Sequence, residues 1–237
     1  GYINWPSWYP EEINASVEYS RYEVILPKDA SLRYWKHNAP EPLVTVDGNL
    51  KHYLWEADSL APFQEEPIGP NIVDQLMGVR AVPDSFEIEK SSGNLSTWKS
   101  FGKWFYKLYA NRQILPKEEE EKIRSLTKDI INTRDKIRRI YEYLQSETRY
   151  VSIQLGIGGW QPFDAAYVCE RKYGDCKALV NYMNSLLKVI DIPAYPALIY
   201  AGVPAINPVK DFPAKFLIMS SFSSRLRMIH FGLNVQI

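Results

Sequence analysis

Lys172-Tyr173-Gly174-Asp175-Cys176-Lys177-Ala178-Leu179, with the apolar run that follows it to Ile190, decides how this chain is read. Gly174 suits the end of one helix and Asp175 is a strong N-cap for the next, which predicts Cys176 at that helix's first position. A thiol there meets unpaired N–H groups and the positive end of the helix dipole, both of which favour the thiolate. Cys176, Leu179, Met183, Leu186 and Ile190 recur at helical spacing, so the cysteine begins the stripe that faces the core. Cysteine hydrolases and acyltransferases present a nucleophile in this way. The same pattern also suits a small buried apolar residue behind an N-cap, and spacing alone does not separate the two.

Two flanking runs bear on the choice. Residues 149–163 read R-Y-V-S-I-Q-L-G-I-G-G-W-Q-P-F, and residues 192–200 read I-P-A-Y-P-A-L-I-Y. With the Cys176 stretch between them, they resemble the transglutaminase-like superfamily, in the bacterial branch whose core follows a β-rich domain of unknown function, DUF3857. The resemblance covers about residues 98–200 and, more thinly, 16–97. It implies an α+β chain with an antiparallel β domain over 1–97, incomplete at its start, connecting helices over 98–127 and a papain-like core over 128–212. In that core a helix-borne cysteine packed on an antiparallel sheet is served by a histidine and an acid on neighbouring strands, and Cys176 matches the nucleophile. Trp160, Gln161 and Asp175 are the expected substrate-side residues, since a Trp or Gln beside a thiol can donate to an oxyanion. A core Trp160 and a surface Gln161 remain the alternative.

Beyond Ala201 the chain departs from the family. A strand carrying Asn-His-Val-Ile is expected, followed by one carrying an acid, but residues 215–228 read K-F-L-I-M-S-S-F-S-S-R-L-R-M. A thiolate with no base and no orienting acid is severely impaired as a catalyst. One cause is written in the codons. Reading permitted codons for Phe216–Ile237 from their third base yields F-N-H-V-I-(L/F)-(L/F)-V-P-L-E-D-D-T-L-W-L-E-C-T-(N/D), with the histidine across Ile218 and Met219 and an acid across Leu233 and Asn234. Residues 213–237 are therefore expected to be an anomalous, frame-shifted tail with incomplete terminal strands. In the rival reading His230 is the base and Asn234 orients it.

Composition narrows the function further. Twenty-eight Lys+Arg against 28 Asp+Glu gives zero formal charge, which argues against nucleic acid as a partner. No apolar run reaches the length of a membrane span, and Gly1-Tyr2-Ile3-Asn4-Trp5 is not a signal peptide. Cys169 and Cys176 have no nearby histidine and lack zinc-ligand spacing, so no metal is expected. No cofactor is implied, because thiolate chemistry is complete without one. Cys169 is expected to pack inside its own short helix. Seven Trp, 16 Tyr and nine Phe among 237 residues point to aromatic core packing, or to sugar stacking on exposed faces. Protein, peptide or peptidoglycan-like substrates and an extracytoplasmic or periplasmic setting follow from the resemblance. A non-catalytic peptide- or glycan-binding envelope protein is the alternative.

Periodicity places the elements. Residues 17–26 alternate as a strand with a change of face, a possible bulge, between Arg21 and Tyr22. Short strands are expected over Leu32–Trp35 and Leu43–Val46, with an Asp47-Gly48 hairpin leading into 51–56 and a further strand over Phe86–Glu89 before Ser91-Ser92-Gly93. His37 and His52 read as ordinary residues of this region. Trp98, Phe101, Phe105 and Leu108 form a helical stripe in which Gly102 suggests close packing. Asn132 or Thr133 caps a later helix, 149–155 alternates as a strand, and Asp164 caps a short helix to Lys172.

Overall fold

The computed structural model describes residues 3, 5–66, 68–69, 71–199, 209–214 and 219–224. The chain divides into two units, one of residues 1–101 with 202–216 and the other of 102–201 with 217–237. Strands dominate the first: β1 (Ser7–Trp8), β2 (Val17–Pro27), β3 (Leu32–His37), β4 (Leu43–Asp47), β5 (Leu50–Leu60), β6 (Gly78–Pro83), β7 (Ser85–Ile88) and β8 (Ser91–Asn94). They pair antiparallel in three groups, β2-β5-β4, β1-β6-β3 and the β7-β8 hairpin. Alternation sends Tyr22, Val24 and Leu26 of β2 and Tyr53 and Trp55 of β5 to one face, where they meet Trp8, Val79 and Ala81. Trp55 lies at the centre, 1% exposed, with the Tyr34 ring edge-on at 5.1 Å. The Asp47-Gly48 turn forms as expected, with Gly48 at φ 56°.

Two expectations for this unit are corrected, and one strand is new to it. No bulge interrupts β2, whose register with β5 is unbroken from Tyr19↔Asp58 to Pro27↔Leu50. Ser20 simply occupies a core-side position, where its Oγ accepts from Trp8 Nε1 at 2.9 Å, and a satisfied hydroxyl needs no change of face. The strand expected to reach Glu89 ends at Ile88, and Glu89 and Lys90 turn the chain into β8, both in the left-handed region at φ 45° and 69°. β6 was not anticipated, because G-V-R-A-V-P carries an arginine and ends in proline. It is nevertheless buried throughout, with the Arg80 guanidinium 4.7 Å from the Trp35 ring centre and 5.7 Å from that of Tyr9.

Helix α1 (Trp98–Tyr109) runs across the division between the units, and the expected apolar positions Phe101, Phe105 and Leu108 are buried. Gly102 is not a point of close packing: it is exposed, and a Cβ added there would meet nothing within 4 Å. The second unit continues with α2 (Lys117–Thr127), α3 (Thr133–Glu147), β9 (Arg149–Tyr150), α4 (Ala165–Arg171), β10 (Tyr173–Gly174), α5 (Cys176–Val189), β11 (Ala194–Ile199) and β12 (Met219–Ser224). Asn132 is the cap of α3, its Oδ1 accepting from the N–H groups of Arg134 at 2.8 Å and Asp135 at 3.3 Å.

The strand expected over 149–155 stops at Tyr150, because its parallel partner β10 has only two residues before Asp175 opens a helix. Asp164 precedes α4 without capping it, and its carboxylate pairs with Arg112 instead. Gly174 is not the stop of that helix either: Lys172 ends it in the left-handed region at φ 58°, its N–H donating to Val168 O at 2.9 Å.

Helix α5 is the centre of this unit. α2, α3, α4 and the β11–β12 pair pack round it, and every residue from Cys176 to Leu187 is buried. It ends in a Schellman motif, with Asp191 at φ 56° and the N–H groups of Ile192 and Asp191 donating to Leu187 O and Lys188 O, each at 3.1 Å. β11 follows at once and returns along the helix. Its antiparallel register with β12 runs from Ala194↔Ser224 to Ile199↔Met219, so the Met219 end of β12 lies toward the Cys176 end of α5.

Candidate active site

Two short backbone pairings and one cap hold Cys176. Arg149 N–H donates to Lys172 O and Val151 N–H to Gly174 O, each at 3.0 Å, which clamps the two residues ahead of the cap against β9. Gly174 must be a glycine for a steric reason, since a Cβ there would stand 2.8 Å from Ala178 Cβ. Asp175 then caps α5 with extended backbone, its Oδ1 accepting from Ala178 N–H at 3.0 Å. Cys176 is the first helical residue, 4% exposed, and its thiol is free of any disulfide.

The charge beside the cysteine is paired and dry. Lys177 donates its ammonium to Asp175 Oδ2, and the two residues are only 4% and 2% exposed. Both oxygens of Asp175 are thus committed within the protein. A lone buried ion would be far costlier than this pair, because neither partner retains water.

Tyr150 is the residue that spacing did not single out. The parallel pairing sets it opposite Gly174, two residues before the thiol. Burial pushes its phenol above the ordinary tyrosine value, the neighbouring Cys176 and Asp175 charges add to that, and a hydrogen bond with the Ser152 side chain opposes it. Of the expected substrate-side residues, Trp160 packs edge-on against Trp104 at 5.4 Å and is buried. Gln161 is half-buried, its backbone N–H donating to Ile157 O at 2.8 Å and its side-chain amide without a hydrogen-bond partner among the described residues.

A second polar cluster lies behind α5. Tyr143 and Tyr182 hydroxyls both donate to Glu119 Oε1, at 2.8 and 2.7 Å, inside the core. Burial, then the Glu119 hydrogen bond and charge, raise both phenols, and burial first and Glu119 second raise the Cys169 thiol. Cys169 packs against this core, as expected of it.

The chain's three histidines lie elsewhere. His37 stacks on Trp35 at 5.8 Å, His52 Nδ1 is 2.8 Å from Glu23 Oε1, and His230, with Asn234, lies outside the described residues. Among the described residues no group of three or more His, Cys, Asp or Glu side chains is placed to hold a metal ion, and no helix is long and apolar enough to cross a membrane.

Residues 120–208 match the family model described as Transglutaminase-like superfamily, and residues 4–64 match DUF3857, a domain of unknown function with a solved structure. The chain is thus similar to DUF3857 over the first of these stretches and to the transglutaminase-like superfamily over the second. A crystal structure described as a "putative protease" from Parabacteroides distasonis ATCC 8503 matches it with a TM-score of 0.62 and 14% identity, over 93% of this chain and 41% of that one. The likeness is one of fold, and the chain spans about two fifths of that protein's length. A "putative cysteine protease" from Cytophaga hutchinsonii matches with a TM-score of 0.38 and 10% identity, over 92% of this chain and 66% of that one. No curated protein matches. The mixed architecture, antiparallel sheets first and then helices round α5, is the α+β fold expected from the sequence.

Proposed function

We propose that the transglutaminase-like core is a cysteine acyl-transfer or amide-hydrolysing domain whose nucleophile is Cys176, and that the chain as written is impaired in it. The observation that carries the reading is a cysteine at the first position of a capped, buried helix, inside the span that matches the superfamily. Cys176 Sγ adds to the carbonyl carbon of a carboxamide or peptide. The C–N bond then breaks, the amine leaves with a proton, and a thioester remains, which water hydrolyses or a primary amine takes over with return of the thiol. In this reading Tyr150, Trp160 and Gln161 are the candidate donors to the developing oxyanion. Asp175 acts through placement, since its two oxygens hold the helix start and Lys177.

The impairment rests on the missing proton carrier. The described part of the second unit contains no histidine, and a positioned general acid–base contributes typically about 10²–10⁴-fold. The same gap favours a second reading, a non-catalytic domain that binds peptide or glycan. A protein or peptide-like substrate and an extracytoplasmic setting rest on the family resemblance.

The test uses three proteins: the chain, its Cys176→Ala variant, and a version whose residues from 213 onward carry the alternative-frame string. Each is given glutamine-containing peptides with a fluorescent primary amine, and both cleavage and amine incorporation are followed. Turnover in the restored version, abolished by Cys176→Ala and lower by about 10²–10⁴-fold in the chain as written, is expected. Turnover that survives Cys176→Ala, or none in the restored version, overturns the acyl-transfer reading.

A further inference from the structure

One side chain ties the segment carrying Trp160 and Gln161 to the nucleophile helix. Asn181 follows Cys176 on α5 and is 0% exposed, and its Nδ2 donates to Arg112 O at 2.7 Å and to Phe163 O at 3.1 Å. Both acceptors are carbonyls, so only the NH2 side of the amide can face them, and Oδ1 is left buried with no hydrogen-bond partner among the described residues. An apolar side chain would fill the same space without an orphaned acceptor, so what the amide supplies is its two donors. The same corner is braced twice more: Ala165 N–H also donates to Arg112 O, at 2.8 Å, and the Arg112 guanidinium pairs with Asp164. Phe163, Asp164 and Ala165 are thus each fastened where the loop after β9 enters α4. The β9–β10 pairing fastens the loop's other end.

We propose that Asn181 is a positioning residue for the candidate oxyanion donor Gln161, an inference that rests on the acyl-transfer reading. Gln161 stands just ahead of the pinned Phe163 carbonyl, and Pro162 between them is buried. Proline fixes its own φ and confines the residue before it to extended backbone, so little freedom remains between Phe163 O and the Gln161 side chain. Pinning that carbonyl to α5 therefore sets the Gln161 amide, half-buried and without a side-chain hydrogen bond among the described residues, relative to the helix that carries the thiol. Donors to an oxyanion work only when they are held in place beforehand, and a displacement of about 1 Å caused far from the chemistry can cost about a hundredfold in rate. Asn181 acts through Phe163 and Pro162, not on the substrate itself.

Two reactions of Cys176 in the whole chain separate placement of the donor from access to the thiol. With p-nitrophenyl acetate, Sγ adds to the carbonyl carbon, an oxyanion forms, and the C–O bond breaks to give the acetyl thioester and p-nitrophenolate, which departs without needing a proton. With iodoacetamide, Sγ displaces iodide at a saturated carbon and no oxyanion forms. Cys176→Ala is the blank for both. Asn181→Leu and Gln161→Ala should each slow acylation by about tenfold or more while leaving alkylation within about twofold, and the double variant should be no slower than Gln161→Ala alone. Asn181→Ala, which adds no bulk, takes the place of the leucine variant if that one does not fold. Acylation that is absent, or that survives Cys176→Ala, ends the acyl-transfer reading and this inference with it. Cys176-dependent acylation that the Asn181 variants leave unchanged, a parallel fall in both rates, additive losses in the double variant, or loss of folded α5 in both Asn181 variants would overturn this inference alone.

Discussion

Removing the Asp175 carboxylate tests how the start of α5 is held. In Asp175→Ala the Ala178 N–H loses its cap, worth about 0.5–2 kcal/mol, and the Lys177 ammonium is left in a site that is 4% exposed. Breaking a buried ion pair by deleting one partner costs about 3–5 kcal/mol, so the stranded charge outweighs the lost cap. The two effects share one side chain and do not simply add, which puts the expected loss for Asp175→Ala at about 3–5 kcal/mol. Asp175→Ala combined with Lys177→Met removes the stranded charge and should return to within about 1–2 kcal/mol of the parent, the deficit that remains being the cap. Because the chain has two units, a global melt would mix them. Hydrogen exchange of the α5 amides isolates the effect, with Ala178 as the direct reporter. A double variant as unstable as Asp175→Ala would refute the reasoning, since it would mean that the buried charge contributes nothing and the cap everything.

Three further outcomes follow from the same packing. Gly174→Ala places a methyl 2.8 Å from Ala178 Cβ and should destabilise the second unit by about 1–3 kcal/mol, read from exchange in α5. Gly102→Ala, exposed and with open space round it, should stabilise α1 by about 0.5–1 kcal/mol, read from hydrogen exchange of the α1 amides. Tyr143 and Tyr182 keep their protons in the folded core while unfolded tyrosines ionise near pH 10, so the second unit should lose stability as pH rises past about 10. Tyr182→Phe should cost about 1.5–3 kcal/mol at neutral pH and flatten that alkaline decline, and urea midpoints equal at about pH 8 and 10.5 would contradict it.

What could be read from the sequence is what is local. The Asp175 cap, the α5 stripe, the Asp47-Gly48 turn and the Asn132 cap each depend on residues within one or two turns of one another. What escaped depends on pairing across the chain. β6 is invisible to alternation because it is covered throughout, and its arginine is housed by rings from β3 and the segment after β1. The Lys177–Asp175 pair joins residues two apart, a spacing that marks no shared helix face. Tyr150 reaches the thiol's neighbourhood only through the parallel β9–β10 pairing, and Asn181 meets the Arg112 and Phe163 carbonyls across 69 and 18 residues of chain.

The last strand bears on the anomalous tail. β12 packs on α5, the most buried helix of the unit, yet its six residues read Met-Ser-Ser-Phe-Ser-Ser. A strand laid on an apolar helix is expected to carry apolar residues on the covered face, and four serines do not provide them. Read in the alternative frame, the triplets that begin within Ile218 to Ser223 encode H-V-I-(L/F)-(L/F)-V, and the next encodes proline, which suits the strand's end after Ser224. That string makes an apolar strand with a histidine at its Met219 end, the end lying toward Cys176. Each buried Val, Ile or Leu contributes about 1.5–3 kcal/mol relative to an exposed one, so a chain carrying the restored string should be more stable by several times about 1 kcal/mol. Its β12 amides should exchange more slowly than those of the chain as written. The codons themselves are the sharper test: a nucleotide sequence unable to encode the string in the shifted frame would end the frame-shift explanation, and the serine-rich strand would then be the protein's own.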